Sequence, residues 1–316
     1  MATRTQILGA AGGPERADGA PSVLRWVRRR RGAPAVICFP HAGGTILSCA
    51  RLAYALPDHI NVAAVVLPGH DPAEPGAPVA DARRLAGMLA EAIVHCAGED
   101  DGGPLVLLGN SFGALLAFEV AQALERLDVP ASRGMQIIVS GFRSPSLPPC
   151  DAPLHRLPRG PLLAELRERF GQGGFDHGAE HGSELGAELG TSLAAQQEAA
   201  LRADLQACET YRPGLAPPLR CTLSVIRLLS DTSVSADELE AWREVCAGPV
   251  RFLALDAGHF PWTSAAPAFT ALLTPLIAVD AVGKGEGAPG PLATVAAAPT
   301  AGKAALSAPL HPPRKS

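Results

Sequence analysis

No two of the seven cysteines (Cys38, Cys49, Cys96, Cys150, Cys208, Cys221 and Cys246) stand as a C-x-x-C pair, and their number is odd. A zinc knuckle and a secreted disulfide framework are both disfavoured by that count, and reduced thiols in a cytosol fit it better. A strong charge of one sign is missing as well. The formal net charge is −4, so there is no global basic face to attract nucleic acid. The first twenty residues, "MATRTQILGAAGGPERADGA", lack the apolar core of a signal peptide. No stretch approaches the ~20 consecutive apolar residues of a membrane span, and no internal repeat is evident. These absences predict a soluble, cytoplasmic protein that binds neither nucleic acid nor membrane. The one basic cluster, "RWVRRRR" at 25–31, reads as a solvated strand end, with contact to an acidic partner as the alternative.

What is present is a globular composition. With 316 residues, 47% hydrophobic and 18% charged, the chain can bury a large core, as one main domain with additions. Short apolar runs recur at 35–39 (AVICF), 62–67 (VAAVVL), 105–108 (LVLL), 137–140 (IIVS), 221–229 (CTLSVIRLL) and 250–255 (VRFLAL). Runs without polar alternation signal strands buried on both faces. Helical patterns fall between them at about 46–56, 80–96, 113–127, 235–246 and 266–278. The alternation predicts an α/β fold, a mostly parallel central sheet with helices on both faces.

The alternation breaks once, at about 145–218. Two helical patterns there, "LPRGPLLAELRERF" and "TSLAAQQEAALRADLQACETY", flank a Gly/His/Glu-rich joint at 171–190. A helical insertion between strands of such a sheet is expected to lie over the strands' C-terminal edge as a lid, with the joint mobile. His177 and His181 within the joint have an i, i+4 spacing but no further ligand nearby, so no metal is expected. The termini, 1–21 and the Ala/Gly/Pro/Lys-rich 281–316, are expected to be disordered. The folded domain is then 22–280.

"GNSFG" at 109–113 matches G-x-S-x-G, where a strand turns abruptly into a helix and presents the serine over the sheet edge. Flanking glycines are required because Cβ atoms there would strike neighbouring backbone, and the following helix aims its free N–H groups at whatever attaches to the serine oxygen. Ser111 as nucleophile demands an acid and then a histidine further along the chain. His259, directly beyond the last strand, is the candidate base, since His311 lies in the tail. Asp231, ending the preceding strand, is the candidate acid. It is not needed to cap the next helix, because Ser235 and Glu238 form a capping box there. Asp256 competes, but three residues of loop rarely let a carboxylate reach the far nitrogen of His259. The loop "CFPHAGGT" at 38–45 supplies the Ala42 amide as one oxyanion donor, and the Phe112 amide is the other. His41 is then structural. Neither loop carries a nucleotide-binding pattern.

Together these residues resemble the type II thioesterases that accompany polyketide synthases and nonribosomal peptide synthetases, within the α/β-hydrolase fold. The likeness runs from about Trp26 to about Pro275 and rests on "CFPHAGG", "LPG" at 67–69, "GNSFGALLAFEVA", "ALRADLQACETYRP" at 200–213, "DTSVSADELEAW" at 231–242 and "GHFPW" at 258–262. The resemblance implies Ser111, Asp231 and His259 as the catalytic triad, with Ala42 and Phe112 as oxyanion donors. It also implies hydrolysis of acyl groups from the phosphopantetheine arm of an acyl or peptidyl carrier protein, for editing or release. No cofactor or metal is implied, and a monomer is expected. Arginines 28–31 become a candidate contact for an acidic carrier. Three departures stand out: Asn110 and Phe112 where the family usually has histidine and methionine, Leu229 and Ser230 where it has glycines before the acid, and a joint at 171–190 richer in Gly, His and Glu than is usual, with His70 in place of the usual arginine after Pro-Gly. Cyclisation or ester cleavage by the same triad, and a catalytically silent carrier-binding scaffold, are the alternatives.

Overall fold

The computed structural model describes residues 23–73, 76–97, 103–129, 132–171, 187–279 and 294–295, with the side chains of 51, 97, 187–193, 278–279 and 294–295 excepted. The disorder expected of 1–21 and most of 281–316, the joint at 172–186 and the histidines 177, 181 and 311 lie outside the described residues.

Each apolar run forms a strand. They are β2 (Ala35–Phe39), β3 (Asn61–Val65), β4 (Leu105–Asn110), β5 (Gln136–Ser140), β6 (Thr222–Leu228) and β7 (Val250–Leu255); β1 (Leu24–Arg28), from the basic cluster, precedes them, and the two-residue β8 (Thr294–Val295) lies beside β7. The sheet order is β1-β3-β2-β4-β5-β6-β7-β8. Among the described strands only β1 runs antiparallel, against β3. Strand side chains point alternately to opposite faces, and here both faces are covered. Ile37, Phe39, Val65, Leu107, Ile137 and Val225 pack on one side against α2 (Ala82–Ala97) and α3 (Phe112–Leu127). Val36, Cys38, Val106, Leu108 and Ile226 pack on the other against α1 (Ile46–Ala55) and α8 (Ala266–Val279). That double burial is why the runs read as continuous rather than alternating.

α3 is buried along residues 112–124, which explains its lack of a polar face. The insertion between β5 and β6 carries α4 (Arg159–Phe170) and α5 (Ala187–Glu209). The last four residues of the expected joint, 187–190, are in fact the first turn of α5. After β6, the single helix expected at 235–246 is divided into α6 (Ala236–Glu240) and a tighter 3-10 turn at Ala241–Val245. The turn seats Trp242, fully buried, with Nε1 donating to Phe142 O at 3.0 Å. Ser235 caps α6 in a reciprocal box with Glu238. α7 (Pro261–Ser264) follows β7 and leads into α8.

β1 was legible only as a basic cluster. Three of the cluster's arginines are engaged within the fold: Arg25 pairs with Asp71 at 3.2 Å, and Arg28 donates to the carbonyls of Leu56 and Pro57 just past α1 and of Ile60 just before β3. Arg29 lies over the Trp26 ring and donates to Cys96 O. Arg30 and Arg31 are exposed.

The chain steps from β2 to β3 in one direction across the sheet and from β4 onward in the other. Open parallel sheets bind ligands at such a switch point, beyond the strands' carboxyl ends. The loops after β2 and β4 meet there.

Candidate active site

Ser111 sits between β4 and α3 with φ 55° and ψ −128°, backbone that a residue with a Cβ adopts at a cost of about 1–3 kcal/mol. The flanking glycines make the turn feasible. A Cβ on Gly109 would lie 2.0 Å from the Gly113 carbonyl oxygen, and one on Gly113 would lie 2.5 Å from Phe39 O at the end of β2. The Ser111 amide donates to Ser140 O at 3.0 Å, pinning the bend to β5. The Phe112 side chain, fully buried, points into the core, so only its amide is left to act near Ser111.

His259 follows β7 and is 4% exposed. Its Nδ1 lies 2.8 Å from Asp231 Oδ2, both side chains being 3% exposed. Ser233 donates to the other carboxylate oxygen twice, through Oγ at 2.6 Å and through its amide at 3.0 Å. Burial opposes ionisation of Asp231, but the contacts with His259 and Ser233 outweigh it and hold the carboxyl below its ordinary value. Asp256 is exposed and accepts from Ser230 Oγ at 3.0 Å. The structure therefore brings Asp231, and not Asp256, to the imidazole.

Asn110, immediately before the serine, ties three strand ends together. Its Nδ2 donates to His259 O at 3.0 Å, and its Oδ1 accepts from Ser140 Oγ at 2.6 Å. At the outer side, Phe170 at the end of α4 lies 4.5 Å from the His259 ring, centroid to centroid, and Phe260 meets it edge-on at 4.9 Å. The insertion thus shields the imidazole from solvent.

The loop after β2 folds back on itself through a Gly44 amide to His41 O bond of 2.8 Å. His41 packs against Phe260 and Trp262 and also lines the cavity beside Ser111. Among the described residues, the amides of Ala42 and Phe112 have no protein acceptor. Ala42, Ser111 and His259 line one cavity of about 420 Å³, within the range of small-molecule sites. Its walls are largely apolar, with Leu147, Leu154, Leu166 and Leu205 from the insertion.

Of the five residues expected from sequence, three line the cavity, Asp231 is bonded behind His259, and Phe112 contributes only backbone. Sequence reasoning missed Ser233, Ser140 and Phe170, which no motif singles out. Asn110 stood out only as an unusual residue. Among the described residues no cluster of three metal-ligating side chains occurs, and no helix is long and apolar enough to cross a membrane.

The "Thioesterase domain" family model matches residues 34–275. A probable cadicidin biosynthesis thioesterase from Streptomyces griseus is 29% identical over 76% of this chain, the match spanning 62% of that protein's length. Thioesterase PikA5 from Streptomyces venezuelae is 31% identical over 74% of this chain and 79% of its own. Among solved structures, the type II thioesterase BorB from the borrelidin biosynthetic cluster superposes with a TM-score of 0.65 at 28% identity, covering 82% of this chain and 97% of BorB. With the family model spanning most of the sequence and the fold matching, the chain belongs to the type II thioesterases of the α/β-hydrolase superfamily.

Proposed function

We propose that this protein is a serine thioesterase that hydrolyses acyl groups from the phosphopantetheine arm of carrier proteins in polyketide or nonribosomal peptide biosynthesis. The observation that carries the reading is the His259–Asp231 bond of 2.8 Å, made by a histidine that shares a cavity with Ser111. With Nδ1–H donated to the carboxylate, Nε2 is the nitrogen left to take the Ser111 proton. The serine oxygen attacks the thioester carbonyl, and the oxyanion is received by the amides of Ala42 and Phe112, at the positive end of α3. The tetrahedral species collapses with departure of the pantetheine thiol, which His259 supplies with a proton. Water, deprotonated in turn by His259, then attacks the acyl-serine and releases the acid. A thioester suits this site because its carbonyl is readily attacked and a thiolate leaves with little help.

The apolar walls from the insertion support an acyl chain as the group held beside Ser111. The test is mass spectrometry of a panel of acyl-carrier proteins incubated with wild type, Ser111→Ala and His259→Ala. Loss of the acyl group with wild type alone is expected. Equal turnover by Ser111→Ala would overturn the reading. Cleavage of p-nitrophenyl esters with no carrier turnover would make the protein an esterase instead.

A further inference from the structure

Among the described residues, a second deeply buried histidine–carboxylate pair lies outside the expected triad. Asp204 is on α5, is 1% exposed, and receives two bonds on one oxygen: the Gly43 amide at 2.8 Å and His70 Nε2 at 2.8 Å. Gly43 belongs to the loop after β2, and His70 to the loop after β3. One carboxylate from the insertion therefore holds two loops of the sheet edge. Two further α5 residues reinforce the contact. Gln196 donates to Gly69 O and Asp71 O, and Leu201 packs so closely that a Cβ on Gly43 would lie 3.0 Å from its Cδ1.

The consequence for Ala42 follows from peptide planarity. The Ala42 N–H shares a plane with the His41 carbonyl, which the Gly44 amide fixes at 2.8 Å. The next plane, Ala42 C=O with Gly43 N–H, is the one fixed by Asp204. Without that bond only one side of the tight turn is held. Both ring nitrogens of His70 face acceptors, Asp204 Oδ2 and Pro68 O at 3.2 Å, so only the doubly protonated ring donates to both. Burial disfavours that cation, but Asp204 and the Pro68 carbonyl outweigh it and raise the histidine's pKa above its ordinary value.

We propose that Asp204, held by His70, is a positioning residue that sets the Ala42 amide for the oxyanion, so that carbonyl activation requires helix α5 to be seated on the loop after β2. The inference rests on Ser111 being the nucleophile and adds a role for the insertion beyond covering the cavity. It also accounts for a histidine after the Pro-Gly pair, since an imidazolium can bridge Asp204 and Pro68 O.

The experiment compares wild type, Asp204→Ala and Asp204→Asn on an acyl-pantetheine thioester, with hydrogen exchange of the 38–47 peptide read by mass spectrometry. Because both donors converge on one oxygen, asparagine can present its carbonyl to both and serves as the conservative rescue. Asp204→Ala is expected to lower kcat by about 10- to 100-fold, less than outright loss of a donor, with KM within about twofold and faster exchange in 38–47. Asp204→Asn is expected to keep kcat within about fivefold of wild type and near-native exchange. The proposal is overturned if Asp204→Ala keeps native kcat, or if 38–47 exchanges at the native rate in that variant. It is also overturned if Asp204→Asn is as damaged in kcat as Asp204→Ala while remaining folded. A wild-type protein that turns over no thioester would sink the reading of function, whereas the exchange rate reports the anchoring on its own.

Discussion

Replacing Asp231 by asparagine exchanges one carboxylate oxygen for an amide NH2 and, by the geometry of the site, changes the tautomer of His259. The native carboxylate accepts from Ser233 twice through Oδ1 and faces His259 Nδ1 through Oδ2 at 2.8 Å. In the variant, the two Ser233 donors select the asparagine carbonyl for the first position, which turns the amide NH2 toward the imidazole. Nδ1 must then accept, and the ring proton moves to Nε2, where it blocks uptake of the Ser111 proton. A wrong-tautomer triad of this kind loses about 10⁴-fold in kcat, or about 5.4 kcal/mol of transition-state stabilisation at ~1.36 kcal/mol per decade. The fold should survive, because asparagine fills the same volume and keeps the Ser233 bonds. The assay is single-turnover hydrolysis of an acyl-carrier protein, alongside Asp256→Asn. The latter residue is exposed and, among the described residues, its side chain is bonded only to Ser230 Oγ, so its variant should keep activity within about twofold, as surface changes generally do. An active Asp231→Asn beside an inactive Asp256→Asn would refute the assignment of the acid and the tautomer argument together.

Other changes have equally definite outcomes. Gly113→Ala forces a Cβ to within 2.5 Å of Phe39 O and 2.8 Å of Pro40 O; an overpacking cost of about 1–3 kcal/mol should appear as a lower Tm in calorimetry, and an unchanged Tm would contradict the close approach. Asn110→Ala strips the donor from His259 O and the acceptor from Ser140 Oγ. It should destabilise by roughly 1–3 kcal/mol in denaturant titration, the cost of buried groups left unsatisfied, and reduce kcat as the histidine loop loosens. Asp231 ionises below its ordinary value in the folded chain, so its contribution to stability is complete above ordinary carboxylate pKa values and is lost as pH falls through the lowered one. Wild type should therefore lose more stability than Asp231→Asn between neutral pH and pH 3, as measured by urea midpoints. Parallel curves would show that the carboxylate is not held as described.

The sequence disclosed most where local chemistry and tertiary need coincide, and least where a side chain acts through a partner far along the chain. The strands of the sheet centre were legible because burial on both faces leaves runs such as AVICF without polar interruption, and β2 begins and ends where that run does. β1 was not, because an edge strand needs only one buried face and its arginines mask the signal; Arg28 is half-buried and spent on carbonyls just past α1 and just before β3. The bend at Ser111 was legible since only glycine tolerates positions 109 and 113, a constraint written in two letters. Ser233 and Asn110 carry no such mark, for a serine or an asparagine in a loop is compatible with countless roles, and what gives these two their place is contact with His259, 26 and 149 residues away. Asp204 is the extreme instance. It lies in a helical pattern where an acidic residue would ordinarily face water, yet it is 1% exposed and holds residues 161 and 134 positions distant. A carboxylate buried that deeply is stable only if donors converge on it, and the donors come from the loops after β2 and β3. The insertion is thus bound to the sheet edge by a polar contact that periodicity cannot reveal, although the departure at His70 marks where to look for it.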